Sequence, residues 1–278
     1  MLTAETIRPT FAVSDLKPRI GSQIRSDVST LLSGERAAEI RSLLERRGVI
    51  VFPEIHLTDR QQVAFTKTLG IIVDEGEDNI YKITMDTKEN PHADYLKGAF
   101  FWHIDGTTWN VPTFAAVLSA RRLAPTGGQT EYCNTYAAYE DLPDSEKKAL
   151  ENLRVVHSFE TAQRYVHPEP SYEVLQSWQK KGTKTLPLVW KHRSGRNSLV
   201  LGCTAAYVVG LSPEESSNLL CRLRDYATRP QFVYRHEWKV GDTVIWDNTG
   251  TMHRALPYAL DSGRLMHRSV LQGEESLA

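Results

Sequence analysis

Along the chain, hydrophobic and polar residues alternate with a short period in many places and with a helical period in only a few. Glu35 to Arg47 carries Ala37, Ile40, Leu43 and Leu44 on one helical face, and Gly48 stands where a left-handed C-terminal residue is needed. A strand, Val49 to Phe52, follows and stops at Pro53. Thr58-Asp-Arg-Gln61 is a capping-box pattern, and it predicts a second helix running through Phe65 to about Leu69, ended by Gly70. Thr113 to Ser119 and Gln129 to Cys133 read as strands around a Pro125-Thr-Gly-Gly128 turn. Helical pieces over Tyr136 to Leu142 and Ser145 to Leu150 precede a strand at Arg154 to Phe159. Leu186 to Lys191 and Ser198 to Leu201 flank a Ser-Gly hairpin signal, and Glu214 to Thr228 is an amphipathic helix opened by Ser212-Pro213. Phe232 to Arg235, Thr243 to Trp246 and Arg264 to Leu271 are strands.

Two stretches resist this reading. Val73 to Lys97 is polar and turn-rich, broken only by Tyr81-Lys-Ile-Thr, and Glu160 to Thr185 has no convincing period, so it reads as an insertion. Long irregular segments beside a site are often lids. Many short strands with a few covering helices predict a mainly β fold with a double-stranded β-helix, or jelly-roll, core. The 278 residues are read as a single domain, 1–278, with lid segments at about 73–98 and 160–185.

Charge changes little in that picture. Lys plus Arg number 33 against 34 Asp plus Glu, so there is no basic surface of the kind that marks nucleic-acid binding. Three scattered cysteines, Cys133, Cys203 and Cys221, fit neither a disulfide framework nor a zinc ribbon. With no signal-like N-terminus and no apolar run near ~18 residues, the expectation is a cytoplasmic protein that binds no membrane and acts on a small molecule, with a homo-oligomer left open.

The candidate chemistry lies in Phe101-Trp102-His103-Ile104-Asp105-Gly106. In extended backbone, residues two apart share a face, so His103 and Asp105 can close on one metal ion. A third ligand has to come from elsewhere, and His253, after Val244-Ile-Trp-Asp-Asn248 and a turn, is the candidate. Two histidines and one carboxylate that leave half an octahedron open are diagnostic of non-haem Fe(II) oxygenases. A second His-x-Asp, His92-Ala-Asp94, sits among Pro, Lys, Glu and Asn, where a ligand would be hydrated and mobile, whereas His103 follows Phe100, Phe101 and Trp102. The His103 copy is therefore read as the metal-binding one. Arg264 and Arg268 lie an even number apart, so both guanidinium groups share one strand face and need anions if buried. Phe101, Trp102 and the segment around Tyr81 offer apolar surface to a ligand. A zinc hydrolase with the same ligands and a non-catalytic jelly-roll binding protein are the rival readings.

Trp102-His103-x-Asp105, Gly-Gly-x-Thr130-Glu, Trp246-Asp-Asn248, His253, Arg264 and Arg268, in that order, resemble the taurine dioxygenase/2,4-dichlorophenoxyacetate dioxygenase family over residues 35 to 272. The resemblance implies Fe(II) on His103, Asp105 and His253, with 2-oxoglutarate as cosubstrate and O2 as oxidant. It also implies that Arg264 and the Thr130 hydroxyl hold the distal carboxylate of 2-oxoglutarate. Arg268 is implied to face an anionic substrate, such as an aryloxyalkanoate, sulfonate or hydrophobic acid, with Tyr81 and Trp102 as further substrate contacts. The reaction implied is hydroxylation with release of succinate and CO2, followed by cleavage where the hydroxylated carbon bears a leaving group. Ala99 replaces a polar substrate contact of the taurine enzyme, and the stretch after His253 lacks the basic residues of the 2,4-dichlorophenoxyacetate enzyme, so the substrate itself is not implied.

Overall fold

The structure, a computed structural model, describes residues 11–91 and 93–277, except the side chains of Asp94 and Tyr95. The chain begins with a hairpin of β1 (Phe11–Asp15) and β2 (Ser22–Ser26), then α1 (Val28–Ser33), α2 (Ala37–Arg47), β3 (Val49–Phe52) and α3 (Asp59–Leu69). After β4 (Tyr81–Ile83) and a 3-10 helix (Ala93–Phe100) come β5 (Ala115–Arg122), β6 (Thr130–Asn134), α4 (Thr135–Glu140) and α5 (Asp144–Leu150). Next are β7 (Arg154–Ser158), α6 (Phe159–Arg164), α7 (Tyr172–Gln179), β8 (Thr183–Pro187), β9 (Val189–Lys191), β10 (Asn197–Leu199) and β11 (Ala205–Val208). The chain closes through α8 (Pro213–Ala227), β12 (Val233–His236), β13 (Thr243–Asp247), β14 (Thr251–Ala255) and β15 (Leu265–Leu271).

A seven-stranded sheet in the order β1-β2-β3-β13-β5-β15-β4 forms one wall. Its central strands are buried on both faces, and their period of two sorts side chains between two cores. Ile50, Phe52, Ala115, Val117 and Ile245 face outward and meet Leu31, Ile40, Leu43, Leu44, Phe65 and Leu69 of α1 to α3. Val49, Val51, Ala116, Leu118, Val244, Trp246, Met266 and Val270 face inward. There they meet Tyr132, from the opposing three-stranded sheet β12-β6-β14, whose ring centroid is 5.6 Å from that of Trp246. Cys133 and Met252 point to the other side of that small sheet, into a third core under α4 and α8. Two facing sheets with helices outside are the expected architecture.

The helices form where local chemistry favours them. α2 ends at Gly48, at φ 73°, whose N–H donates to the Leu44 carbonyl at 2.7 Å. α3 and α8 both open on capping boxes, Thr58 with Gln61 and Ser212 with Glu215. Phe65, fully buried under the sheet, is the kind of side chain whose loss costs about 3–5 kcal/mol.

Several segments differ from the sequence reading. Residues 160–185 are not irregular: they hold most of α6, then α7 and the start of β8. α6 buries only Ala162 and Gln163, and α7 only Trp178, so neither helix is long or apolar enough to show a period. The expected strand from Leu186 to Lys191 is split at Leu188, whose N–H turns to the Leu153 carbonyl at 2.8 Å. β11 escaped notice because a bulge between Ala205 and Tyr207 breaks its alternation against β7. The three cysteines are free, and no helix among the described residues is long and apolar enough to cross a membrane.

Candidate metal centre and oxoacid site

β14 brings the distant parts of the site together. On one side it pairs with β6, placing His253 opposite Tyr132. On the other it forms a single bridge to His103, with the His103 N–H on the His253 carbonyl at 3.1 Å and the reverse bond at 2.9 Å. The two imidazoles are thereby set side by side, with ring centroids 4.1 Å apart. Asp105 completes the group, since one ligand atom from each of His103, Asp105 and His253 lies within 4.8 Å of the others. Among the described residues this is the only such cluster. His92 and the side chain of Asp94 lie outside the described residues.

Protonation suits a metal. His103 Nδ1 donates to the Phe101 carbonyl at 2.8 Å, which leaves the Nε2 lone pair for an ion. His253 is fully enclosed, and burial with the neighbouring His103 pushes its pKa down to about 3 against the pull of Asp105. Burial works against the charge on Asp105, but the basic groups around it, His253, Arg268 and His103, hold its carboxyl below the usual range. Two imidazoles and a carboxylate are the donor set a divalent ion requires. The residues present therefore fit a non-haem iron.

Asp105 is positioned through its backbone. Asn248 accepts from the Asp105 N–H at 2.9 Å and donates to the Asp105 carbonyl at 2.9 Å, while also donating to the carbonyl and hydroxyl of Thr113, each at 3.0 Å. Gly202 does similar work for His103. At φ 120°, with any Cβ only 3.0 Å from both His103 Cα and the Trp102 carbonyl, it allows Cys203 N–H to bond that carbonyl at 2.8 Å. Asn248 was visible in the sequence only as part of a motif, and nothing in the local pattern around Gly202 signals its role.

A cavity of about 340 Å³ opens beside the three ligands, and Thr130, Arg264 and Arg268 line it. Its apolar wall includes Ile83, Leu96, Trp109, Leu118, Phe159 and Trp246. Arg264 is 3% exposed, and among the described residues no carboxylate pairs with it. Its Nη2 donates to the Gly128 carbonyl at 3.0 Å, the guanidinium lies 4.8 Å from the Tyr258 ring centre, and its buried Nε has no partner. A buried cation with a free donor edge is a place for an anion. Thr130 accepts the Trp238 indole N–H at 2.9 Å, which leaves its own hydroxyl proton free to donate.

Of the three residues expected to contact substrate, Arg268 lines the cavity beside the metal ligands, whereas Trp102 and Tyr81 do not. Trp102 lines a separate cavity of about 350 Å³ with Phe101, and its ring is covered by Arg254 at 4.7 Å. It turns away because its neighbour His103 points to Asp105 and His253, and adjacent residues in extended backbone face opposite ways. Tyr81 does not line the metal cavity: it stands opposite Arg268 in the sheet, with its ring 5.2 Å from that guanidinium. Arg268 is not a cation in want of an anion. Its Nη2 lies 2.8 and 3.1 Å from the two carboxylate oxygens of Glu75, and its Nη1 is 3.6 Å from Asp105 Oδ2. Burial works against its charge, and Asp105 and Glu75 outweigh that.

Comparison with known proteins agrees with this geometry. The family described as "Taurine catabolism dioxygenase TauD, TfdA family" matches residues 12–270. The alpha-ketoglutarate-dependent 2,4-dichlorophenoxyacetate dioxygenase of Burkholderia sp. (strain RASC) is 32% identical over 268 residues, covering 87% of each chain. An alkylsulfatase of Acinetobacter baylyi is 31% identical over 274 residues, covering 93% of this chain and 84% of that protein. The crystal structure of AAD-2 in complex with Mn(II) and N-oxalylglycine superposes with a TM-score of 0.83 at 31% identity, covering 97% of this chain and all (100%) of the other.

Proposed function

Since this chain belongs to the TauD, TfdA family of 2-oxoglutarate-dependent dioxygenases, we propose that it hydroxylates a small organic acid or sulfate ester with an apolar body. Iron(II), 2-oxoglutarate and O2 together convert a C–H bond to C–OH, with the 2-oxoglutarate leaving as succinate and CO2. His103, Asp105 and His253 hold the metal, and Asn248 and Gly202 fix the backbone of that set. Arg264 binds the distal carboxylate of 2-oxoglutarate, with the Thr130 hydroxyl as a second donor. The observation that carries this reading is Arg264, a buried guanidinium with no carboxylate partner among the described residues, in the cavity that the metal ligands also line.

The prime substrate shares that cavity. Its polar end is placed toward Arg268, and Ile83, Leu96, Trp109 and Phe159 exclude water from its apolar part. Segments 73–98 and 160–185 contribute Ile83, Leu96 and Ala162 to the rim, which supports a covering role for both. Aryloxyalkanoates and alkyl sulfates are the substrate classes proposed, because relatives named for a phenoxyacetate, a phenoxypropionate and an alkylsulfatase activity match most of the chain. Where the hydroxylated carbon bears an ether or sulfate-ester oxygen, the product collapses to a carbonyl compound and the freed alcohol or sulfate.

Anaerobic addition of Fe(II) and 2-oxoglutarate is expected to give the weak visible charge-transfer band of a chelated keto acid, and His103→Ala is expected to lose it. A succinate-release screen over aryloxyalkanoates, sulfonates and alkyl sulfates then identifies the substrate. No band in the unaltered protein, or no succinate above the uncoupled rate with any of these acids, contradicts the reading.

A further inference from the structure

Arg264 and Arg268 face the same cavity but differ in how their charges are met. Arg264 has no carboxylate partner among the described residues, whereas Arg268 is held by Glu75 through both carboxylate oxygens. That pair is built into the backbone. Before Glu75, the Val73 N–H bonds the Val270 carbonyl of β15 at 2.8 Å. After it, Glu77 and Ile80 exchange hydrogen bonds of 3.1 and 2.9 Å around Asp78 and Asn79, both at positive φ (53° and 65°), and β4 returns to β15 opposite Arg268. Gly76, at φ 73°, permits the close turn, since a Cβ there would lie 2.0 Å from the Ile80 carbonyl oxygen. Glu75 is thus fastened on both sides of the arginine it binds, unlike a surface ion pair whose partners wander.

The consequence is electrostatic. With a divalent metal and doubly charged 2-oxoglutarate in place, the charges of Arg264 and Asp105 cancel, and so do those of Arg268 and Glu75. The loaded site is neutral. Without Glu75 it would carry one positive charge, which a monoanionic substrate would neutralise. Resting on the reading that the substrate's polar end meets Arg268, we propose that Glu75 is a specificity-determining residue that competes with the substrate's acidic group for that guanidinium. The site then selects against small, strongly hydrated anions and favours ligands bound mainly by their apolar body, because only the latter recover enough on burial to displace Glu75 or to share Arg268 with it.

The test uses the Fe(II)·2-oxoglutarate enzyme without oxygen, with 2,4-dichlorophenoxyacetate and its methyl ester as probes and the shift of the visible band as the measure of binding. Glu75→Gln is expected to tighten binding of the acid by roughly tenfold or more and to change the ester by less than about twofold. Glu75→Asp, with a retracted carboxylate, falls between. Melting temperature and 2-oxoglutarate affinity, measured on each variant, separate misfolding from a binding effect. An acid that binds Glu75→Gln no better than the unaltered enzyme, or binds neither, overturns the role of Glu75, as does an ester tightened as much as the acid. Arg268→Met tests the underlying reading by itself. If it leaves acid affinity unchanged, the polar end does not meet Arg268 and the functional reading of that residue falls first. If it weakens the acid while Glu75→Gln fails to tighten it, only the competition is refuted.

Discussion

Replacing Arg264 by Ala is the sharpest perturbation of this site, because the structure fixes both what is lost and what else could account for the loss. The side chain is 3% exposed, and among the described residues its internal partners are the Gly128 carbonyl and Tyr258. If its guanidinium forks onto the distal carboxylate of 2-oxoglutarate, the variant leaves that carboxylate unpaired in a water-poor cavity. Loss of one partner of such a pair costs about 2–5 kcal/mol, or roughly 30- to several-thousand-fold in affinity at about 1.4 kcal/mol per decade. Arg264→Lys keeps a charge but not the fork and is expected to fall between. Thr130→Val removes one hydrogen bond to a charged group, about 1.5–3 kcal/mol, and also orphans the Trp238 N–H, so it should cost stability as well. The assay is anaerobic titration of the Fe(II) enzyme with 2-oxoglutarate, read at the visible band, with thermal melting in parallel. If Arg264→Ala melts lower yet binds 2-oxoglutarate as tightly as before, the arginine merely anchors Gly128 and Tyr258, and the assignment is refuted.

The remaining predictions concern the scaffold. Asn248→Ala strips the Asp105 N–H and carbonyl and the Thr113 groups of their partner, and is expected to cost about 3 kcal/mol in stability and roughly 10- to 100-fold in metal affinity, checked by denaturation and metal competition. Gly202→Ala places a methyl group 3.0 Å from His103 Cα at a φ of 120°, and is expected to lower stability by about 1–3 kcal/mol and loosen the metal; unchanged metal affinity would show that the His103 backbone tolerates the shift. Asp247 is fully enclosed, and burial raises its pKa to about 6 against the bonds from Thr249 and Tyr136. Since this folded value lies above the ordinary 3.8, its contribution to stability is fully present below about pH 4 and lost as pH rises through 6, by at most about 3 kcal/mol. Asp247→Asn should flatten that part of a stability-against-pH curve, and an unaltered curve would count against the raised pKa.

The local sequence already determined α3 and α8, which open on capping boxes, and α2, which stops at Gly48, because those signals lie within a few residues. It also determined that β5, β13 and β15 are strands. His103, Asp105 and His253 could be selected as one site because residues two apart share a face and because the motif order resembled a known family. What it could not determine was which neighbour each cavity residue would meet. Trp102 and Tyr81 looked like ligand surface from their composition, but pairing with β14 and β15 turned one toward Arg254 and gave the other to Arg268. The charge partner of Arg268 was equally hidden. Glu75 lies 193 residues away in a polar stretch with no period, and only the return of β4 to the edge of β15 brings its carboxylate within 2.8 Å. Periodicity reports which face of an element is buried, whereas charge pairing depends on contacts between elements that the fold alone creates.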